Sequence, residues 1–151
     1  MRVHGTPKYT YEYPRPALTV DVAVVTREAI PRVLLIRRKH PPFAGSWALP
    51  GGYVNEHEEL AAAARRELHE ETGIVVPELE QVYTAGDPGR DPRGWVVSVV
   101  YLAQVDPANV QPQAADDAQE VAWFPLHQLP PLAFDHAAIL SRIQNRCLSR
   151  F

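Results

Sequence analysis

Glu67, Glu70 and Glu71 stand at i, i+3 and i+4, a spacing that sends three carboxylates from neighbouring positions on one side of a helix. At about 100° per residue, Leu60, Ala61, Ala64 and Leu68 form the apolar stripe of that helix. Glu71 falls inside the stripe, Glu67 at its edge and Glu70 somewhat further round. Carboxylates crowded beside apolar surface lose hydration and repel one another, so something must compensate them. An oxygen-seeking divalent cation, Mg²⁺ or Mn²⁺, is the natural candidate. Cations held in this way neutralise anionic oxygens and lower the pKa of water, with a carboxylate at hand to take the proton. The plainer arrangement is a solvated helix in which Arg65 and Arg66 pair with the glutamates; the position of Glu71 within the stripe weakens it.

The elements that must position these groups can be read at coarse scale. Glu58 to Thr72 is the clearest helix, alanine-rich and closed by Gly73 where a C-terminal cap is expected. Before it, Leu18 to Val25 alternates as a half-buried strand, Glu28 to Arg32 is a turn, and Val33 to Ile36 is a short buried strand running into Arg37, Arg38 and Lys39. Trp47 to Leu49 is a brief strand leading into Pro50-Gly51-Gly52. After the helix, Val75 to Thr84 reads as a strand interrupted by Pro77, Asp87 to Gly94 as a loop and Trp95 to Leu102 as a strand rich in β-branched and aromatic residues. An irregular stretch from Asp106 to Gln119, a short strand at Val121 to Phe124 and a closing helix at His136 to Leu148 complete the chain. Strands dominate with two substantial helices, so the expected class is α+β (mixed α/β); irregular alternation argues against a doubly wound parallel sheet.

Composition narrows the setting. A length of 151 residues suits one domain over 1–151, able to bury a core without disulfides. The formal net charge of −3 lacks the basic excess of a broad nucleic-acid footprint. A single cysteine, Cys147, excludes an intramolecular disulfide framework. No apolar run reaches the roughly 20 residues of a membrane span, and residues 1 to 16 lack the apolar core of a signal peptide. A cytoplasmic location is therefore expected. The 15 prolines are scattered over loops and read as punctuation of a compact fold.

The flank of the glutamate helix runs Gly52-Tyr-Val-Asn-Glu-His-Glu58, then seven residues to Arg66-Glu67-Leu68-His69-Glu70-Glu71-Thr72-Gly73-Ile74. It is similar to the Nudix box, G-x(5)-E-x(7)-R-E-U-x-E-E-x-G-U with U aliphatic, at all nine specified positions over 23 residues. The resemblance implies a loop–helix–loop within an α/β/α sandwich with a mixed central sheet. It also implies metal-dependent cleavage of the pyrophosphate in a nucleoside diphosphate linked to another moiety. On that resemblance Glu67 and Glu71 are the principal metal ligands, Glu70 is a third carboxylate for metal or water, and the carbonyl of Gly51 completes a metal's shell. Arg66 and Glu58 match the pair that braces the catalytic carboxylates.

Substrate choice lies outside the box. The stretches Tyr13 to Asp21, Gly86 to Tyr101 and Ala133-Phe-Asp-His-Ala137 resemble the ADP-ribose pyrophosphatase-like branch of bacterial Nudix proteins. Pro88, 15 residues beyond Gly73, lies close to where a proline marks ADP-ribose hydrolases. Arg90 and Arg93, with Asp87 in the same loop, are candidate substrate contacts, and Arg37 or Arg38 a candidate clamp on the pyrophosphate. Trp47, Phe43 and Trp95 offer rings for adenine, with core packing the simpler fate of each. Asp116, Asp117 and above all Glu120 are candidates for a further catalytic acid or base, whereas His57 and His69 read as exposed bystanders. The resemblance further implies a small nucleotide substrate and a homodimer. Alternative substrates are nucleotide sugars and oxidised nucleoside triphosphates. An alternative of another class is a non-catalytic sensor of ADP-ribose or an NAD metabolite, as in regulators that fuse such a domain to a winged helix; the chain's end at Phe151 and its intact box argue against it.

Overall fold

The computed structural model describes residues 9–114 and 118–148, with the backbone alone at Gln119. Asp116 and Asp117, two of the candidate acids, lie outside the described residues.

Its centre is β1 (Ala17–Thr26), which pairs in parallel with β6 (Val96–Val105) along its whole length, from Ala17↔Val96 to Thr26↔Val105. On its other side β1 runs antiparallel to β2 (Arg32–Arg38) and to the short β4 (Gly51–Tyr53). The sheet extends outward through β3 (Trp47–Ala48) and β7 (Ala118–Pro125) on β2, and through β5 (Glu80–Ala85) on β6. One parallel ladder among antiparallel ones makes the sheet mixed, as expected.

Two helices cover it. α1 (Leu60–Thr72) packs Ala63, Ala64 and Leu68 against Val20, Val22 and Val24 of β1. α2 (His136–Leu148) packs Ile139, Leu140 and Ile143 into a second cluster with Ala23 and Val25. Alternate residues of β1 thus feed separate cores, so the expectation of a half-buried strand is corrected: Thr19 to Thr26 are buried throughout, because both faces are covered.

Other boundaries move for identifiable reasons. The strand expected from Val75 begins only at Glu80, where pairing with Leu102 starts; Pro77 cannot donate to a ladder, and Val75 is exposed. β6 and β7 run longer than their local composition suggests, since each has a full-length partner in β1 or β2. α1 starts at Leu60 rather than Glu58, leaving Glu58 free to accept from the Asn55 amide at 3.0 Å. Gly73 closes α1 as expected, at φ 73°, and donates its N–H to the His69 carbonyl. Among the described residues no helix is long and apolar enough to cross a membrane.

Candidate active site

β4 lies so close to β1 at Gly51 and to α1 at Gly52 that two glycines are required. A β-carbon on Gly51 would lie 2.2 Å from the Val20 carbonyl oxygen and 2.5 Å from an oxygen of Asp21. One on Gly52 would lie 2.6 Å from the carboxyl carbon of Glu67. With hydrogen in their place, the Gly51 amide donates to Glu71 Oε2 at 3.1 Å. Glu67 and Glu71 are therefore both buried on α1, while Glu70 is half-exposed beside them.

Arg66 organises this wall. Its guanidinium donates to both oxygens of Glu58 at 2.7 and 2.9 Å, to Glu67 at 2.8 Å, to Glu70 at 3.2 Å and to the Tyr53 carbonyl at 3.0 Å. Arg66 and Glu58, the pair expected to brace the carboxylates, are bonded to each other, and Arg66 reaches two of the three glutamates directly. Bonding to Arg66 holds the Glu58 carboxyl below the ordinary range, and bonding to Glu58 raises the Arg66 guanidinium. Burial pushes Glu71 well above the carboxylate range, and the charge of Glu67 adds to it. Glu67 is raised as well, chiefly by burial, with Arg66 working against the shift. The wall holds more carboxylate charge than Arg66 can satisfy, which favours a bound cation. As they stand, no three His, Cys, Asp or Glu side chains among the described residues converge as a ready ligand set. Arg66 engages one oxygen of Glu67 and one of Glu70, leaving the other of each outside that contact.

These carboxylates line a cavity of about 580 Å³ shared with Arg38, Arg90 and Arg93. Arg90 is held by two bonds to Asp135, at 2.8 and 2.6 Å. Burial opposes its charge, but Asp135 together with Asp21 and Asp91 outweighs burial and raises it. Arg93 is held by Asp91 through Nε at 3.0 Å and Nη2 at 2.8 Å, and Asp91 raises it in turn. Arg38 differs from both: Nε donates to the Pro42 carbonyl at 2.7 Å, and among the described residues it forms no ion pair. Burial and the neighbouring Arg93 charge lower its pKa.

The structure brings together Gly51, Glu67, Glu70, Glu71, Arg38, Arg90 and Arg93, with Arg66 and Glu58 behind them. It does not bring in Arg37, Glu120 or Asp87. Arg37 and Glu120 sit opposite one another on β2 and β7 and form an exposed pair at 3.0 Å, while Asp87 is exposed in its loop; none of the three lines the cavity. Trp47 packs edge-on against Phe124, as expected of a core ring. Phe43 and Trp95 are exposed, against the expectation of core packing. His57 is exposed beside Glu56, and His69 is exposed on α1.

Sequence reasoning assigned no role to Asp21, Asp91, Phe134 or His136, yet all four line the cavity. Ser98 donates to Asp21, and His136 Nε2 lies 3.6 Å from the same carboxylate. His136 Nδ1 accepts from the Leu49 amide at 3.0 Å. A single charge in the otherwise uncharged run of β1 was the available signal for Asp21. For Phe134 and His136 the signal was their place in the Ala133–Ala137 stretch.

The NUDIX domain family profile matches residues 15–143. The chain is 44% identical over 130 residues to the ADP-ribose pyrophosphatase of Methanocaldococcus jannaschii, a match covering 85% of this chain and 73% of that protein. It is 40% identical over 144 residues to the ADPR responsive transcriptional repressor NtrR of Acinetobacter baylyi, covering 89% of this chain but only 57% of the repressor. The NUDIX domain of Shewanella oneidensis NrtR, solved in complex with ADP ribose, superposes with a TM-score of 0.82 at 36% identity, over 92% of this chain and 94% of that one.

Proposed function

Because the chain belongs to the NUDIX domain family, we propose that it is a pyrophosphohydrolase that cleaves ADP-ribose to AMP and ribose 5-phosphate. The carrying observation is one cavity lined by both the box carboxylates and three arginines, a charge pattern suited to a diphosphate and the cations that accompany it. Likeness to an ADP-ribose pyrophosphatase and to a NUDIX domain that holds ADP ribose supports the choice of substrate.

Members of the family generally use divalent metal ions. Glu67, Glu70, Glu71 and the Gly51 carbonyl would hold Mg²⁺ or Mn²⁺ here, and an all-oxygen donor set suits either ion. When bound, such an ion neutralises the pyrophosphate oxygens and lowers the pKa of the attacking water. The protein's own groups do the rest. Arg38, with no carboxylate partner among the described residues, binds the diphosphate. Arg66 holds Glu67 and Glu70 in place, and a cavity carboxylate takes the proton from water as oxygen attacks one phosphorus and the bridging P–O bond breaks.

The deciding assay is incubation with ADP-ribose and Mg²⁺ or Mn²⁺, with AMP and ribose 5-phosphate resolved as products. Metal-dependent release of both is expected. Glu71→Gln, folded, should lose roughly a hundredfold or more of the turnover, since it removes a charged oxygen at nearly constant volume. Full activity in that variant would remove Glu71 from the mechanism, and cleavage of a nucleotide sugar in place of ADP-ribose would move the substrate assignment. One other reading has an observation behind it, the 40% identity to an ADPR responsive repressor. Tight ADP-ribose binding without turnover on any nucleotide substrate would select that sensor reading.

A further inference from the structure

Three consecutive residues leading into α2, from 134 to 136, each meet a different part of the cavity. Asp135 fixes Arg90 through two bonds, and His136 accepts from the Leu49 amide. Phe134 makes no hydrogen bond through its side chain, yet two guanidiniums stand over its ring. The Arg38 guanidinium carbon stands 5.0 Å over its centroid and that of Arg93 5.1 Å. Arg93 also stands 5.0 Å over the ring of Tyr53, and Phe43 packs edge-on against Phe134 at 4.9 Å.

The backbone at Phe134 is left-handed, at φ 53°, a conformation disfavoured for a bulky side chain. Such a residue persists where its surroundings over-determine it, and such residues cluster at functional sites. The flanking anchors are in place: Ala133 N–H donates to the Trp47 carbonyl at 2.8 Å, and Asp135 and His136 are bonded as described. A leucine or methionine would fill the same space. An aromatic ring adds a negative π face, which attracts cations. Arg38 and Arg93 are like charges lining one half-buried cavity, and the ring's quadrupole offsets part of their repulsion.

We propose that Phe134 is a positioning residue that keeps the guanidiniums of Arg38 and Arg93 together as one subsite for a phosphate-type oxyanion. The proposal rests on the pyrophosphohydrolase reading of the cavity. It assigns Phe134 to ground-state binding of the diphosphate rather than to bond cleavage, so its loss raises KM and leaves kcat nearly unchanged.

The test uses inorganic pyrophosphate as the probe, bound in calorimetry with EDTA present, alongside ADP-ribose kinetics with Mg²⁺. Phe134→Leu removes the π face and keeps apolar volume, while Phe134→Tyr keeps the face. Pyrophosphate affinity and the KM for ADP-ribose should each worsen about tenfold in the leucine variant and stay within about twofold in the tyrosine variant. If the leucine variant does not fold, Phe134→Asn, which tolerates left-handed backbone, gives the same reading. Wild-type affinity in the ring-less variant, a loss confined to kcat, equal losses in Leu and Tyr, or a wild-type protein that binds no pyrophosphate each overturn the proposal. Failure to cleave ADP-ribose, with ring-dependent pyrophosphate binding intact, overturns the substrate assignment and leaves Phe134 in this role.

Discussion

At the residue scale the site depends on atoms that are missing by design as much as on those present. Gly51 and Gly52 are adjacent, but the contacts a β-carbon would make differ in kind. At Gly51 the obstruction is the Val20 backbone carbonyl, in a strand paired on both sides that has no room to retreat. At Gly52 it is the end of the Glu67 side chain, which can swing aside but would then leave the place Arg66 gives it. Gly51→Ala should therefore strain the fold, lowering Tm by about 4 °C or more. Gly52→Ala should leave Tm close to wild type and reduce turnover roughly tenfold or more, because a small misplacement of a catalytic group is costly. Melting curves and initial rates on both variants check this; a reversal of the two effects would show that Glu67 does not need its present position.

At the element scale, the first residue of α2 ties that helix to the segment between β3 and β4. His136 is buried and accepts the Leu49 N–H on Nδ1, so its ring is neutral and its one proton sits on Nε2, toward Asp21. Burial depresses its pKa; Asp21 and Asp135 pull the other way, while Arg90 and Arg38 reinforce burial. In the unfolded chain this histidine takes a proton as pH falls through about 6.5, whereas in the folded chain it resists until the pH is lower still. The stability it contributes is thus complete above that value and is lost as pH falls toward the folded pKa, by at most about 1.4 kcal/mol per pH unit for one proton. Urea unfolding from pH 8 to 5.5 should show wild type losing stability relative to His136→Gln as pH falls. Parallel profiles would mean that another group carries the titration. Glu58 and Asp91, lowered by their arginine partners, lose their contribution only at more acid pH, while Glu71 and Glu67, raised by burial, act in the opposite sense in both proteins and cancel in the difference between them.

At the scale of the whole molecule, the fold keeps buried carboxylate charge that costs stability and that a bound cation would offset. The raised pKa of Glu71 means that its ionisation opposes folding at neutral pH, so in EDTA Glu71→Gln should be no less stable than wild type. Mg²⁺ at about a hundred times its dissociation constant should then add about 2.7 kcal/mol to wild type, a rise of roughly 5–10 °C in Tm. The Gln variant should gain much less. An equal rise in both proteins would place the ion away from Glu71.

The glutamate helix, its glycine cap, the mixed class of the fold, the closing helix and the box were all legible in the amino-acid sequence. All of these follow from local periodicity or from fixed spacing within a short stretch, where neighbours in the chain are neighbours in space. Burial of β1 on both faces is a tertiary outcome, since it depends on two helices, α1 and α2, that lie more than 60 residues apart in the chain. The tertiary structure also separated Arg38, which enters the cavity, from adjacent Arg37, which leaves it to pair with Glu120, because successive strand residues point to opposite faces. Asp21, Asp91, Phe134 and His136 meet in one cavity from three distant segments, and Asp135 holds Arg90 across 45 positions. Contacts of that range are made by the sheet that brings the segments together, so no local pattern could have announced them.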